Sequence, residues 1–526
     1  MAWFGWPSPA MRRIAAALLM VGLVKGPAAA SAQQTFVIRD ATIVDGTGKP
    51  GYRGSLRVKD GRIIAVGKVT PRSRELVTEA KGLVLAPGFI DTHSHNGEDF
   101  AAHRDLLAAV SQGVTTVVVG VDGESVFPLA GLFTTLAQTP VAVNVASYAG
   151  HGTIRGWVMG KDYRRVATPG ELAHMRALLR QEMRAGALGL STGLEYDPGI
   201  YSDTSEVLNL AAEAASLGGR YASHIRSEDR REWLAIEEAI EIGKVTGMPV
   251  QISHMKLGMR SLWHQADRLL ARLDSARAEG VDITADVYPY TFWESNLATL
   301  FPARDFTNRD DADFALREVV APDGLRFMEY DPDSSIVGLT LAEVAERTHT
   351  DPASTLLNLV ARSDAMERET GEGADAVTGV GMAEDDVERI ITWPYANICS
   401  DGGMTSGHPR SYGTFPRVLG HYVRGLSALP LEEAVRKMTS LAASHMGIRN
   451  RGTIAVGQQA DLVLFDPARV KDRATPEKPT LVSVGISRVW VNGVPVFASG
   501  RTTGKYPGKV IRREKDKAVT TDKSDR

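Results

Sequence analysis

The chain is nearly without cysteine. Cys399 is the single one among 526 residues, so no internal disulfide can form. It stands in an apolar stretch two residues before Asp401 and reads as a packing residue rather than a reactive thiol. Neither sign of charge predominates: 60 Lys and Arg face 63 Asp and Glu, for a net charge of −3. This balance gives no reason to expect nucleic acid or an anionic membrane surface as a partner. Only one run is conspicuously apolar, Ile14 to Val24, and it is too short to span a bilayer comfortably. Arg12 and Arg13 precede it and Ala30-Ser31-Ala32 follows, which is the layout of an export signal. Cleavage is expected after Ala32, with delivery to a periplasm or beyond the cell and no membrane attachment afterwards. The rest is ordinary for a globular protein, with 43% hydrophobic, 23% charged and 7% aromatic residues. The length suits two or three domains.

The two ends of the mature chain share a texture. Short alternating runs broken by turn residues fill residues 33–85 and return over 448–505. Asp60-Gly61 and Asn492-Gly493 both sit between apolar runs and predict tight hairpins. One small β domain, a β-sandwich assembled from both termini, is the simplest reading. From Tyr506 onward the chain is rich in Lys, Arg and Asp and is expected to be a mobile, solvated tail.

Between these ends, strands alternate with helices. Eight candidate strands run over Leu83–Thr92, Thr115–Gly120, Val141–Tyr148, Leu188–Thr192, Tyr221–Ile225, Val250–Ser253, Ile283–Tyr288 and Ala396–Ser400. Helical spacing marks Trp233 to Thr246 and Gln265 to Glu279. Thr168-Pro169-Gly170-Glu171 has the form of a capping box with proline in the first turn. The expected class is therefore α/β, a (β/α)₈ TIM-like barrel over 86–300 and 390–447. Its active site would lie at the C-terminal ends of the strands. Roughly a hundred residues separate the last two candidate strands, far more than one crossover needs. Residues 301–389 are expected to form an inserted subdomain that covers the barrel mouth.

Potential metal ligands cluster where those strands end. His93 and His95, one residue apart after the first strand, share a strand face and can grip one ion. His224, His254 and Asp401 follow the fifth, sixth and eighth strands. Imidazole with carboxylate suits Zn²⁺ among the first-row ions. A nearby carboxylate can take a proton from an attacking water and pass it to the leaving group. Asp401 is placed for that task, or for capping the turn at Gly402-Gly403.

The stretches GFIDTHSH, SHIRSE, ISHMK and CSDGG, in this order, resemble the amidohydrolase superfamily and within it the N-acyl-D-amino-acid deacylases. GHGTIR, the run from ATPGEL to GLEYDPG, and HPRSYGTFPRVLG strengthen the likeness, which covers nearly the whole mature chain. The resemblance implies one or two Zn²⁺ ions and a small N-acyl amino acid as substrate. That family usually places a metal-binding cysteine after its second strand. Here the matching stretch is Gly120-Val121-Asp122-Gly123-Glu124, so Asp122 takes the cysteine's place and Glu124 is its rival. The resemblance further implies Lys256 as partner of a substrate carboxylate, with Tyr196, Tyr288 and Arg410 as helpers. His151 is expected either to touch substrate or to brace a loop. Arg226 and Glu228 would form a pair that orients the ligands. Two other readings compete: a dipeptidase or cyclic-amide hydrolase of the same superfamily, and an exported metal-binding protein without catalysis.

Overall fold

A computed structural model of the chain describes residues 35–97 and 100–514. The expected export signal over residues 1–32 lies outside the described residues. Eight parallel strands build the central barrel: Phe89–Asp91, Val114–Val119, Asn144–Ser147 continued by Ala149–Gly150, Gly189–Gly193, Arg220–His224, Val250–Ile252, Ile283–Val287 and Ala396–Ile398. The ring closes beyond the ends of the first and last strands, where Ser94 bridges Gly402 in parallel and Asp401 N donates to His93 O at 2.9 Å. Strand residues are buried almost throughout, as expected for a sheet walled by helices on its outer face.

Outer helices form where the sequence signals them. Pro169–Ala185 begins with the full capping box, in which Thr168 accepts from Glu171 N and the Glu171 carboxylate accepts from Thr168 N. Glu232–Thr246 and Ala266–Ala278 match the two periodic stretches and bury their apolar faces on the strands. Among the described residues, no helix is long and apolar enough to cross a membrane.

The long first candidate strand is in fact two. Val84–Pro87 pairs antiparallel with Leu462–Phe465 in the terminal domain, whereas Phe89–Asp91 enters the barrel. Gly88 makes the corner, because a Cβ there would lie 2.2 Å from the Thr115 side chain. The terminal domain thus runs two residues past its expected end. Its nine strands connect as one sheet around Phe36, Ile38, Leu56, Leu464 and Trp490. Both expected hairpins are present. Asp60 and Gly61 join Lys59 to its partner Arg62, and Asn492 and Gly493 join Val491 to Val494. All four turn residues have positive φ, the geometry of a two-residue turn that matches strand twist.

Two boundaries need correction. The inserted subdomain starts earlier than residue 301, because Phe292–Ser295 pairs with Asp375–Val380 in a three-stranded sheet completed by Leu325–Tyr330. It also ends earlier than 389. The helix Glu384–Thr392 belongs to the barrel wall, where Asp386 accepts from His264 N and Ala266 N at the start of Ala266–Ala278. The expected mobile tail is tied down over its first part. Gly508 N donates to Val141 O, Val145 N to Lys509 O, Ile511 N to Val145 O and Arg513 N to Gly186 O, at 2.8–3.0 Å. Backbone pairing of this kind leaves no trace in composition. The remainder of the tail, residues 515–526, lies outside the described residues.

Candidate metal centre and active site

The barrel brings the five candidate ligands of the strand ends to one place and adds Asp122. His93 Nε2 lies 3.0 Å from Asp122 Oδ2 and 3.2 Å from Asp401 Oδ1. His95 Nε2 lies 3.4 and 3.2 Å from the same two oxygens. On the far side of Asp122, His254 Nε2 stands 3.6 Å from Oδ1 and 3.0 Å from His224 Nδ1. Two donor groups result, His93–His95–Asp122–Asp401 and Asp122–His224–His254, with ligand atoms within 4.8 Å of one another in each. Asp122 belongs to both, one oxygen toward each. Glu124 is exposed on the outside of its turn.

Backbone geometry aims these donors. Asp122, His254 and Asp401 all have positive φ, at 52°, 34° and 49°. For non-glycine residues this costs about 1–3 kcal/mol each and persists only where surrounding structure enforces it. Here the enforcement is visible: Asp401 N is held by His93 O, and His254 N by the Asp286 carboxylate. Asp286, from strand seven, also accepts from Gln251 Nε2 and Cys399 Sγ and stands 3.8 Å from His93 Nδ1. Cys399 is fully buried, as a packing residue should be.

The donor set fits a pair of divalent ions. Its atoms are imidazole nitrogens and carboxylate oxygens, and Asp122 Oδ1 is buried with no hydrogen-bond partner. Electrostatics agree. Burial works against protonating His95, yet hydrogen bonds to Asp122 and Asp401 push its pKa to about 10. Burial likewise opposes ionising Asp401, but the Arg410 guanidinium and His93 hold its carboxyl well below the usual range. A site that favours protons on imidazoles so strongly favours any cation placed among the same carboxylates.

Behind the second donor group stands a ring of carboxylates. The outer nitrogen of His224, Nε2, donates to Glu195 Oε2 at 3.0 Å, and the outer nitrogen of His254, Nδ1, lies 3.1 Å from Glu228 Oε1. Each pairing fixes the ring so that its other nitrogen faces Asp122. Glu195 was not among the sequence candidates. It lies in the loop after strand four, inside the stretch GLEYDPG, and the register that sets Gly193 beside His224 brings it to the imidazole. Glu228 was expected to pair with Arg226, but Arg226 pairs with Glu238 instead, at 2.8 Å.

The candidate substrate residues divide. Lys256, Tyr196, Tyr288 and Arg410 line one cavity above the donors, together with residues of the inserted subdomain. Lys256 Nζ is 2.6 Å from Glu228 Oε1 and 2.8 Å from His254 Nδ1. Arg410 Nη1 is 2.6 Å from Asp401 Oδ2. The Tyr196 ring packs 4.4 Å from that of His224. The Tyr288 ring lies between the two cations, 4.8 Å from the Arg410 guanidinium carbon and 5.9 Å from Lys256 Nζ. Its hydroxyl is buried without a partner, as is Arg410 Nε. His151 does not reach this cavity. It opens the helix His151–Met159, is fully buried, and meets Glu206 at 2.8 Å beside Arg155. Of its two expected roles, bracing is the one the fold supports.

A barrel whose strand ends present two histidine–carboxylate groups around a shared carboxylate is an amidohydrolase, and the amidohydrolase family model matches residues 385–497. A D-aminoacylase of Alcaligenes xylosoxydans xylosoxydans is 36% identical over 91% of this chain and 97% of its own. An N-acyl-D-aspartate deacylase of the same organism is 37% identical over 92% and 96%. The crystal structure of an N-acyl-D-glutamate deacylase from Bordetella bronchiseptica, complexed with zinc and a phosphonate mimic of the tetrahedral intermediate, superimposes with a TM-score of 0.81. It is 34% identical, covering 91% of this chain and 99% of that one. The chain belongs to the N-acyl-D-amino-acid deacylase family. It is a hydrolase of C–N bonds other than peptide bonds.

Proposed function

We propose that the protein hydrolyses the amide bond of N-acyl-D-amino acids, releasing a carboxylic acid and a free D-amino acid, with one or two Zn²⁺ ions held by His93, His95, Asp122, His224, His254 and Asp401. One juxtaposition carries the reading. Next to the donor groups, two buried cations flank the Tyr288 ring on the wall of one cavity, and the Tyr288 hydroxyl is buried without a partner. A substrate with an amide beside an α-carboxylate needs such a pairing.

When bound, the metal polarises the scissile carbonyl and makes water more acidic. The chain's own residues do the rest. Asp401 accepts a proton from the attacking water and returns it to the departing nitrogen as the C–N bond breaks. Arg410, bonded to Asp401 Oδ2, keeps Oδ1 turned toward His93 and His95. Lys256 and the Tyr288 hydroxyl orient the α-carboxylate, and the inserted subdomain walls the reaction from bulk water. Export forms part of this proposal and rests on Arg12, Arg13, the apolar run and Ala30-Ser31-Ala32. N-terminal sequencing of protein from a periplasmic fraction tests it, and a mature start at Gln33 is expected.

The activity is tested by amine release from N-acetyl-D-leucine, N-acetyl-L-leucine and N-acetyl-D-leucinamide with added Zn²⁺. Strong preference for the first supports the proposal. Equal cleavage of acid and amide points to a general or cyclic-amide hydrolase instead.

A further inference from the structure

The relatives of nearly equal identity act on different D-amino acids, so likeness does not choose the side chain. The cavity does. Apart from the donor histidines, its cationic lining among the described residues is Lys256 and Arg410. Both are committed, Lys256 to Glu228 and Arg410 to Asp401, and the α-carboxylate of an N-acyl amino acid occupies the donors they have left. Five carboxylates line the same cavity: Glu195, Glu228, Asp229, Glu294 and Asp401. Glu294 is itself satisfied by Gly407 N at 3.0 Å and by the Ser406 hydroxyl. The inserted subdomain contributes Trp293, Leu300 and Val319, an apolar wall facing the donors. Leu300 and Trp293 are buried, and Val319 is half-buried at the end of the helical turn Ala315–Val319.

Resting on the deacylase reading, we infer that the protein selects N-acyl-D-amino acids with neutral, apolar side chains and rejects those of D-aspartate and D-glutamate. A second substrate carboxylate would leave water for a wall without a free cation, where the Ser295 hydroxyl is a neutral unpartnered donor, inside a ring of like charge. A buried charge without an ionic partner is strongly disfavoured, and a site with no cation to receive it rejects it in the transition state as in binding. Two further cations beside this lining are spent: Arg304 on Glu195 O at 2.7 Å and on Asp197 at 2.9 Å, and Arg230 on Asp311 at 2.7 Å, where it packs over Phe314.

The test uses the full metal-loaded protein with N-acetyl derivatives of D-leucine, D-methionine, D-phenylalanine, D-aspartate and D-glutamate. The neutral three are expected to exceed the acidic two in kcat/KM by roughly 100-fold or more. Equal or higher rates on the acidic pair overturn the inference. A Val319→Arg variant, whose longer chain can reach solvent, should raise the rate on N-acetyl-D-glutamate and lower it on N-acetyl-D-leucine. No such crossover counts against the assigned wall. Calorimetry with the products separates this inference from the activity it rests on. Binding of D-leucine over D-glutamate upholds the pocket even if no N-acyl substrate turns over, which would defeat only the deacylase reading. Tighter binding of D-glutamate overturns the pocket whatever the turnover.

Discussion

Replacing Lys256 by Met isolates the group on which the substrate class depends. Methionine keeps most of the unbranched stem, so packing changes little, and the charge is lost. An ammonium bonded to a substrate carboxylate in this buried setting contributes a charge-assisted hydrogen bond of about 1.5–3 kcal/mol. That corresponds to roughly one to two decades in kcat/KM. Lys256 Nζ also sits 2.6 Å from Glu228 Oε1, so its removal leaves a half-buried carboxylate without that ammonium. This second cost falls on every substrate alike. N-acetyl-D-leucinamide, which has no carboxylate, reports it alone, and a Lys256→Met/Glu228→Gln pair relieves the stranded charge. The assay is therefore a comparison of acid and amide substrates across both variants. The acid should lose one to two decades more than the amide in each. Equal losses on acid and amide would refute the carboxylate-binding role and favour a general supporting role for Lys256.

Other outcomes follow from particular contacts. Asp122→Ala should lose metal, measured after dialysis by elemental analysis, whereas Glu124→Ala, altering an exposed side chain, should keep it; the reverse result would dismiss Asp122 as the shared ligand. Asp122→Cys should retain metal, since a thiolate can serve at that position. Glu195→Gln and Glu228→Gln should each weaken metal binding by roughly 10–100-fold without unfolding the protein, because each removes the charge that orients an imidazole; unchanged affinity would reduce both to packing roles. Gly88→Ala should lower stability by about 1–3 kcal/mol, seen as a lower Tm, because its Cβ would press on Thr115; an unchanged Tm would mean that the corner relaxes freely.

Much of this architecture is legible in the sequence because its chemistry sits at strand ends. His93, His224, His254 and Asp401 each close an apolar run, and parallel strands in a closed barrel must carry such ends to one rim. Hairpins were readable for a local reason: Asp-Gly and Asn-Gly accept positive φ at low cost. What was hidden depends on partners distant in sequence. Glu195 gains its meaning from the pairing of strands four and five. Phe292–Ser295 is a subdomain strand only because Asp375–Val380 lies against it. His151 follows strand three as the candidate ligands follow theirs, but the chain turns there directly into a helix and carries the side chain toward Glu206. Gly88 interrupts an apolar run that has no break in hydropathy, and only the crowding by Thr115 reveals the corner.

Proton transfer by Asp401 in a metal-assisted hydrolysis at this barrel rim is tested most directly by the turnover of metal-loaded Asp401→Asn. Asparagine preserves the size and much of the hydrogen bonding but cannot accept the proton. With metal content confirmed in the same sample, kcat on N-acetyl-D-leucine should fall by roughly 10²–10⁴-fold. Near-normal turnover in a metal-loaded variant would contradict the account.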